Sequence, residues 1–492
     1  MLYIGIDLGT SAVKLLLMNE KGEIKNIVSH EYPIYFPQSG WSEQNPEDWY
    51  KGTCEGISEL LSGQNSEEIQ GISFSGQMHG LVLLDDKDEV LRPAILWNDG
   101  RTKEECDYLN NEIGREKISS YTGNMALTGF TAPKLLWVKK HEPEIFQKIS
   151  KIMLPKDYLA YRFSGIHCTD VSDASGTLLF DVKNRRWSEE MIQIIGIRND
   201  QLATIYESYE VVGTLTKQAA KELSLPQNVK VIAGAGDNAA GAIGTGTLNH
   251  GMCSVSLGTS GTVLIATDKF AVDSKNALHS FAHANGKYHF LGCMLSAASA
   301  NKWWMDKIIG TKEYTKEQEN IKQLGENKVF FLPYLMGERT PHNNPDARGV
   351  FLGMSMNTSR EDMTQAVLEG VTFALKDAIE IARGLGISID RIRLTGGGAK
   401  SPLWRQMVAD IINVKVDILK SEDGSGLGAA ILAAVGCKRF SSVEEAAQTL
   451  ISIVDTIEQN PENVKKYEKK YQIFCGLYPA LKSTFHTITL SD

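Results

Sequence analysis

The opening of the chain predicts a β-hairpin: residues 3–7 are mostly apolar, Leu8-Gly9-Thr10-Ser11 interrupts them, residues 13–18 resume, and Glu20-Lys21-Gly22-Glu23 turns again. Residues 46–61 then change to helical spacing. Asn45 can cap that helix, and Pro46 sits at its first position, where a missing N–H costs nothing. Strand patterns return at 71–75 and 229–233. Strands alternating with helices predict a layered α/β architecture.

The opening pattern recurs half a chain later. Cys253-Ser254-Val255-Ser256, Leu257-Gly258-Thr259-Ser260 and Val263-Leu264-Ile265-Ala266 repeat strand, turn and strand, so that Leu-Gly-Thr-Ser stands at both 8–11 and 257–260. A repeated element with matched flanks predicts two domains that begin alike. The glycine-rich stretch 241–251 places the division near Thr245, giving domains 1–245 and 246–492. The tail from Lys438 has a helical, amphipathic pattern and reads as a packing or surface element.

Composition narrows the class. At 492 residues the chain exceeds what one hydrophobic core supports. A net charge of -9 argues against a nucleic-acid partner, which would demand clustered Lys and Arg, and favours small molecules. No apolar run approaches the roughly 20 residues of a membrane span, so no membrane partner is expected. The chain opens directly on a strand without an export-signal pattern, and its seven cysteines are widely spaced and never in C-x-x-C. Both features lead to the expectation of a cytoplasmic protein with reduced thiols.

Backbone N–H groups in a tight turn hold phosphate well, because glycine lets the main chain approach with no side chain intruding. Both Leu-Gly-Thr-Ser turns offer this, Thr10 and Thr259 add hydroxyl donors, and Asp7 is placed to bind Mg²⁺ directly or through water. One such turn alone reads as an ordinary hairpin; the pair favours phosphate. Between the copies, residues 231–241 run from a strand through a glycine-rich turn into a small-residue helix that begins at Asp237. That aspartate suits an N-cap, and equally the acceptance of a hydroxyl proton during phosphoryl transfer.

The same stretch is a partial G-x-G-x-x-A dinucleotide fingerprint, but no acidic residue ends the next strand about 20 positions on. No G-x-x-x-x-G-K-[ST] occurs either. A third cluster, Gly396-Gly397-Gly398, lies between a strand-like and a helix-like segment and offers a surface for a purine and its ribose; alone, it is equally a loop. Residues 422–436, with Gly424, Gly426 and Gly428, read as close helix packing. Ser75-Gly76-Gln77-Met78-His79-Gly80 sets polar groups at a strand end, where His79 suits a structural or a ligand role. His279, His283 and His289 invite a metal reading, but the glutamate of H-E-x-x-H is missing and 278–282 patterns as a strand.

Taken together, these pieces resemble the FGGY carbohydrate kinases, and within them the xylulokinases, over nearly the whole chain. The resemblance rests on Ile4-Gly5-Ile6-Asp7-Leu8-Gly9-Thr10-Ser11, Trp41-Ser42-Glu43-Gln44, Gln77-Met78-His79-Gly80, Leu96-Trp97-Asn98-Asp99-Gly100-Arg101, Leu154-Pro155-Lys156-Asp157-Tyr158-Leu159, Gly236-Asp237-Asn238-Ala239-Ala240-Gly241, Leu257-Gly258-Thr259-Ser260 and Gly337-Glu338-Arg339-Thr340-Pro341-His342. It implies two ribonuclease-H-like domains of the actin and hexokinase ATPase type, with a catalytic cleft between them. It also implies ATP and Mg²⁺ as cofactors and phosphorylation of D-xylulose to D-xylulose 5-phosphate, with ribulose, deoxyxylulose or a polyol as alternative substrates.

By the same resemblance Asp237 is the general base, Asp7 belongs to the metal and phosphate region, and Gly258 and Thr259 form the second phosphate hairpin with Thr10 in the first. Gly397 and Gly398, with Ser401 beside them, match an adenosine turn, and Trp303 is expected near the adenine. Met78, His79, Asp237 and Asn238 are the expected sugar contacts, because the related glycerol kinases carry Arg-Glu in place of Met-His. A homodimer is common among similar enzymes. Two other classes stay open on the residues alone: an actin-fold ATP-binding switch without sugar chemistry, and a dinucleotide oxidoreductase.

Overall fold

The computed structural model describes residues 1–421 and 423–490. Its first sheet is built from β1 (Leu2–Leu8), β2 (Ala12–Asn19), β3 (Ile24–Glu31), β4 (Ile69–Gly76), β5 (Val211–Thr214), β6 (Lys230–Ile232) and β7 (Ala235–Gly236). The strands lie in the order β5-β6-β4-β1-β2-β3, with β7 continuing beside β4. A second sheet comprises β8 (Cys253–Leu257), β9 (Gly261–Thr267), β10 (His279–Ala282), β11 (Tyr288–Met294), β12 (Arg391–Thr395), β13 (Lys415–Leu419) and β14 (Ile453–Ile457), in the order β10-β11-β9-β8-β12-β13-β14.

The wiring is duplicated. β1 is antiparallel to β2 and parallel to β4, just as β8 is antiparallel to β9 and parallel to β12. These are the two ribonuclease-H-like sheets implied by the resemblance. The short polar break between consecutive apolar runs makes each opening pair a hairpin, whereas the parallel partner arrives only after a long crossover.

Helices cover the sheets. α1 (Pro46–Leu60) packs on β2 and β3, its first turn capped by Asn45, which accepts from Glu47 N. α2 (Pro155–Ser164) lies behind β4, α3 (Asp237–Thr245) follows β7, and α4 (Arg360–Gly384), α5 (Pro402–Ile412) and α7 (Pro461–Leu490) enclose the second core. α6 (Gly424–Gly436) comes from the second half of the chain but lies on β1 and β4 of the first sheet, against α3.

That crossing needs helices almost without side chains. A Cβ on Gly244 would stand 1.8 Å from Gly424 O, and one on Gly428 would stand 1.8 Å from Ala240 O. Gly428 therefore serves close helix packing, as the sequence suggested, whereas a Cβ on Gly424 or Gly426 would meet its nearest atom only at 3.8 Å; Glu422, which begins that stretch, lies outside the described residues. The tail is helical at Val443–Leu450 and again in α7, as its pattern predicts, and departs from that pattern between them. Ile453-Val454-Asp455-Thr456-Ile457 forms an edge strand on β13, where its β-branched residues suit an extended chain.

Candidate functional site

Three parallel strands end side by side. Asp7, one residue before the end of β1, pairs with Ser75 of β4, and Ala235 and Gly236 of β7 lie opposite Ser75 and Gly76, so the chain carries Asp7, Gln77–Gly80 and Asp237 out at one edge. The carboxyl ends of such strands are where open α/β sheets bind ligands. Ser75 Oγ donates to Asp7 Oδ1 at 2.8 Å. Burial raises the Asp7 pKa, and the Ser75 hydroxyl opposes that shift.

Asp237 begins α3 and is half-open to the cleft. Its Oδ1 accepts from the Asn238 backbone N–H at 2.7 Å and from Asn238 Nδ2 at 2.8 Å. Burial, reinforced by the Asp7 charge, pushes its pKa up to about 7 against those hydrogen bonds. A carboxylate that titrates near neutrality and opens onto a cleft can take the proton of an attacking hydroxyl.

Met78 and His79 stand beside it. Asn238 Nδ2 lies 4.0 Å from Met78 Sδ, and a Cβ on Gly236 would stand 2.8 Å from Met78 Cγ. His79 has a left-handed φ of 70°, uncommon for a residue with a side chain. It is held there by Thr131 Oγ1 and Lys134 Nζ, which donate to its carbonyl at 3.1 and 2.9 Å. Its ring stacks on Phe130 at 4.6 Å, and Nδ1 donates to Gly176 O at 2.7 Å. Burial holds its pKa well below the ordinary histidine value. The imidazole is therefore neutral with its proton on Nδ1, leaving Nε2 as an acceptor for a hydroxyl.

Around the first hairpin, Thr10 O accepts from Gln44 Nε2 at 2.7 Å and Thr10 Oγ1 from Trp97 Nε1 at 2.9 Å. Gly9 N–H closes the turn itself, donating to Ala12 O at 3.0 Å. Trp97 is a member of the site that sequence reasoning left within a motif and gave no role.

The second hairpin faces a cavity of about 970 Å³ whose lining includes Gly258, Thr259, Ser299, Lys302, Gln318, Gly397, Gly398 and Ser401. Gly396, with φ 86°, lets the β12 turn close on the hairpin, since a Cβ there would stand 2.6 Å from Leu257 C. A Cβ on Gly397 meets nothing within 4 Å, so this residue faces open space. Ser401 Oγ caps α5 by accepting from Trp404 N at 3.1 Å and donates to Gln318 Oε1 at 2.5 Å.

Trp303 is not part of this wall. In the helix Ala298–Trp303 it stacks on Phe331 at 6.2 Å, while Ser299 and Lys302 of the same helix line the cavity. Helical rotation puts successive residues on different faces, and no motif distinguishes Lys302 or Gln318 in sequence. A separate pocket of about 280 Å³ lies between Asp237 and the strands of the second hairpin; Asp237, Asn238, Ser256, Thr262, Thr395 and Ser425 line it.

The histidine trio is an apolar-core feature. His279, His283 and His289 are buried, and burial lowers the first two pKa values to about 3 and about 4. Among the described residues, no group of three or more His, Cys, Asp or Glu is arranged to hold a metal ion.

Comparison with known proteins decides the family. The model of the FGGY family of carbohydrate kinases, N-terminal domain, matches residues 2–244, and that of its C-terminal domain matches residues 253–437. The chain belongs to the FGGY family of carbohydrate kinases. This kinase is 41% identical over 484 residues to a xylulose kinase of Bacillus subtilis (strain 168), covering 97% of each chain. It is also 41% identical over 484 residues to a xylulose kinase of Escherichia coli (strain K12), covering 98% of this chain and 99% of the other. A crystal structure of a xyloylose kinase from Brucella ovis superposes with a TM-score of 0.94 at 39% identity, covering 98% of this chain and 100% of that one. The kinase is thus an enzyme acting on a sugar and ATP, and among its described residues no helix is long and apolar enough to cross a membrane.

Proposed function

We propose that this kinase transfers the γ-phosphate of ATP to D-xylulose, giving D-xylulose 5-phosphate and ADP. One observation carries the chemistry: a carboxyl group with a pKa of about 7, at the edge shared by Met78, His79 and the Asp7 hairpin, opens into the pocket that lies between it and the strands of the second hairpin. The substrate is supported by relatives named xylulose kinases at 38–41% identity that match the chain almost end to end.

In this reading Met78, His79, Asp237 and Asn238 hold the sugar, and His79 Nε2 accepts from one of its hydroxyls. Asp237, ionised, takes the proton of the terminal hydroxyl as its oxygen attacks the γ-phosphorus in line, so no phosphoenzyme forms. Thr10, Gly258 and Thr259 hold the phosphates, Gly397 and Gly398 carry the adenosine, and Ser401 keeps Gln318 in the cavity wall.

Asp7 fits Mg²⁺, an ion that takes one or two protein carboxylates and completes its shell with water and substrate phosphates. When bound, the ion neutralises charge on the phosphate oxygens. We take Thr245 as the end of the first domain, and seven free thiols support a cytoplasmic, reducing setting.

An ADP-release assay across ketopentoses, pentitols and glycerol tests the substrate. D-xylulose is expected to give the highest kcat/KM; a pentitol or glycerol exceeding it tenfold would overturn the reading of Met78 and His79.

A further inference from the structure

We propose that Lys156, Asp170 and Ser172 form a buried relay that sets the position of Asp237, making them positioning residues for phosphoryl transfer. The inference rests on the reading of Asp237 as the base. Lys156, on α2 directly behind the Asp237 turn, is 0% exposed. Its ammonium lies 2.6 Å from Asp157 Oδ1, 2.8 Å from Asp170 Oδ1 and 3.8 Å from Asp173 Oδ2. One cation thus serves three carboxyl groups, all of them buried. Neither oxygen of Asp173 has a hydrogen-bond partner.

The chain from this cluster to the base is short. Asp170 Oδ2 accepts from the backbone N–H and the hydroxyl of Ser172, at 2.8 and 2.5 Å, and from Ser208 Oγ at 2.7 Å. Because Ser172 directs its hydroxyl proton at Asp170, its oxygen lone pair is oriented to accept Gly236 N–H, at 3.1 Å. Gly236 is the residue immediately before Asp237. The same Lys156 ammonium donates to Ala233 O at 3.4 Å, so one buried cation holds both ends of the segment 233–236. On its other side Gly236 already presses on Met78, where no Cβ fits. The turn is therefore clamped between the relay and a proposed sugar contact.

Burying several charges is expensive, and apolar residues of similar volume stabilise a core at least as well. What the relay supplies is placement. A displacement of about 1 Å in a reacting group can cost on the order of 100-fold in rate. A buried ionic chain ending on the amide before the base resists that displacement in a way that loose apolar packing does not.

Ser172→Ala removes the acceptor of Gly236 N–H and one of the donors to Asp170 Oδ2, while the ion pairs of Lys156 stay in place. The expected result is a fall in kcat of roughly tenfold, with KM for D-xylulose and for ATP within twofold of the parent. The acid limb of kcat should also move to lower pH, as the loosened turn admits water to Asp237. Ser208→Ala removes a donor to the same Asp170 oxygen without touching Gly236, and should leave kcat within twofold. Asp170→Asn is the second relay variant and should repeat the loss in kcat with KM unchanged. In an Asp237→Asn background, Ser172→Ala should cost nothing further. The relay is overturned if Ser172→Ala keeps kcat within twofold, or if Ser208→Ala falls as far. Near-normal turnover in Asp237→Asn alone would instead overturn the reading of the base.

Discussion

The two Leu-Gly-Thr-Ser turns are identical in letters and different in structure. In the first, Leu8 pairs with Val13 across a four-residue loop; in the second, Leu257 pairs with Gly261 across a three-residue loop. The residue before the turn also differs, Asp7 in one and Ser256 in the other. Their surroundings diverge further. Gln44 and Trp97 hold Thr10 in the first hairpin, whereas Thr259 O accepts from the Ser299 hydroxyl at 2.6 Å beside the large cavity. A shared tetrapeptide supplies a turn that can approach phosphate, and its neighbours decide which groups surround that phosphate.

The largest expected effect removes what stands between the hairpins. Asp237→Asn should lower kcat by about 10²–10⁴-fold while ATP binding, followed by calorimetry, persists. Next comes the asymmetry itself. Asp7→Ala should cost on the order of 100-fold in kcat, and Ser256→Ala less than about threefold, because only the first hairpin brings a carboxylate to the phosphates; equal losses would break the comparison. Gly397→Leu, projecting into open space at the nucleotide cavity, should raise KM for ATP roughly tenfold and leave KM for the sugar unchanged. Trp97→Phe loses the indole N–H to Thr10, a bond of about 0.5–1.5 kcal/mol, and should raise the KM for ATP by about two- to tenfold with the sugar KM unaffected.

A pH measurement sharpens the same picture. Activity needs ionised Asp237, so kcat should fall as pH drops through about 7. Stability runs the other way. In the unfolded chain this carboxyl ionises near pH ~4, so the folded state binds the extra proton between there and about 7 and loses stability as pH rises. Asp237→Asn should therefore melt higher than the parent above pH 7, with the gap closing toward pH 4.

Much of the site was legible because its parts are local. The glycine turns, Asp237 at a helix start, and Met78-His79 at a strand end each lie within a few residues of a strand whose pattern announces it. Lys302 and Gln318 belong to segments without motif or period, and Trp303, expected near the adenine, stacks on Phe331 while its helix neighbours Ser299 and Lys302 line the cavity. The edge strand β14 hid in a tail that patterns as helix, since only the free edge of β13 makes five extended residues worthwhile.

By itself the sequence determined the alternation of strands and helices, the duplicated hairpin and the chemical kinds of residue at each turn. These follow from spacing and from backbone preferences that act over a few positions. Tertiary structure alone decided that α6 returns to the first sheet, that Asp7 and Asp237 stand close enough to shift a pKa, and that Lys156 lies behind the base. Each of these joins residues tens to hundreds of positions apart, and such meetings are set by strand pairing and helix packing rather than by any local pattern.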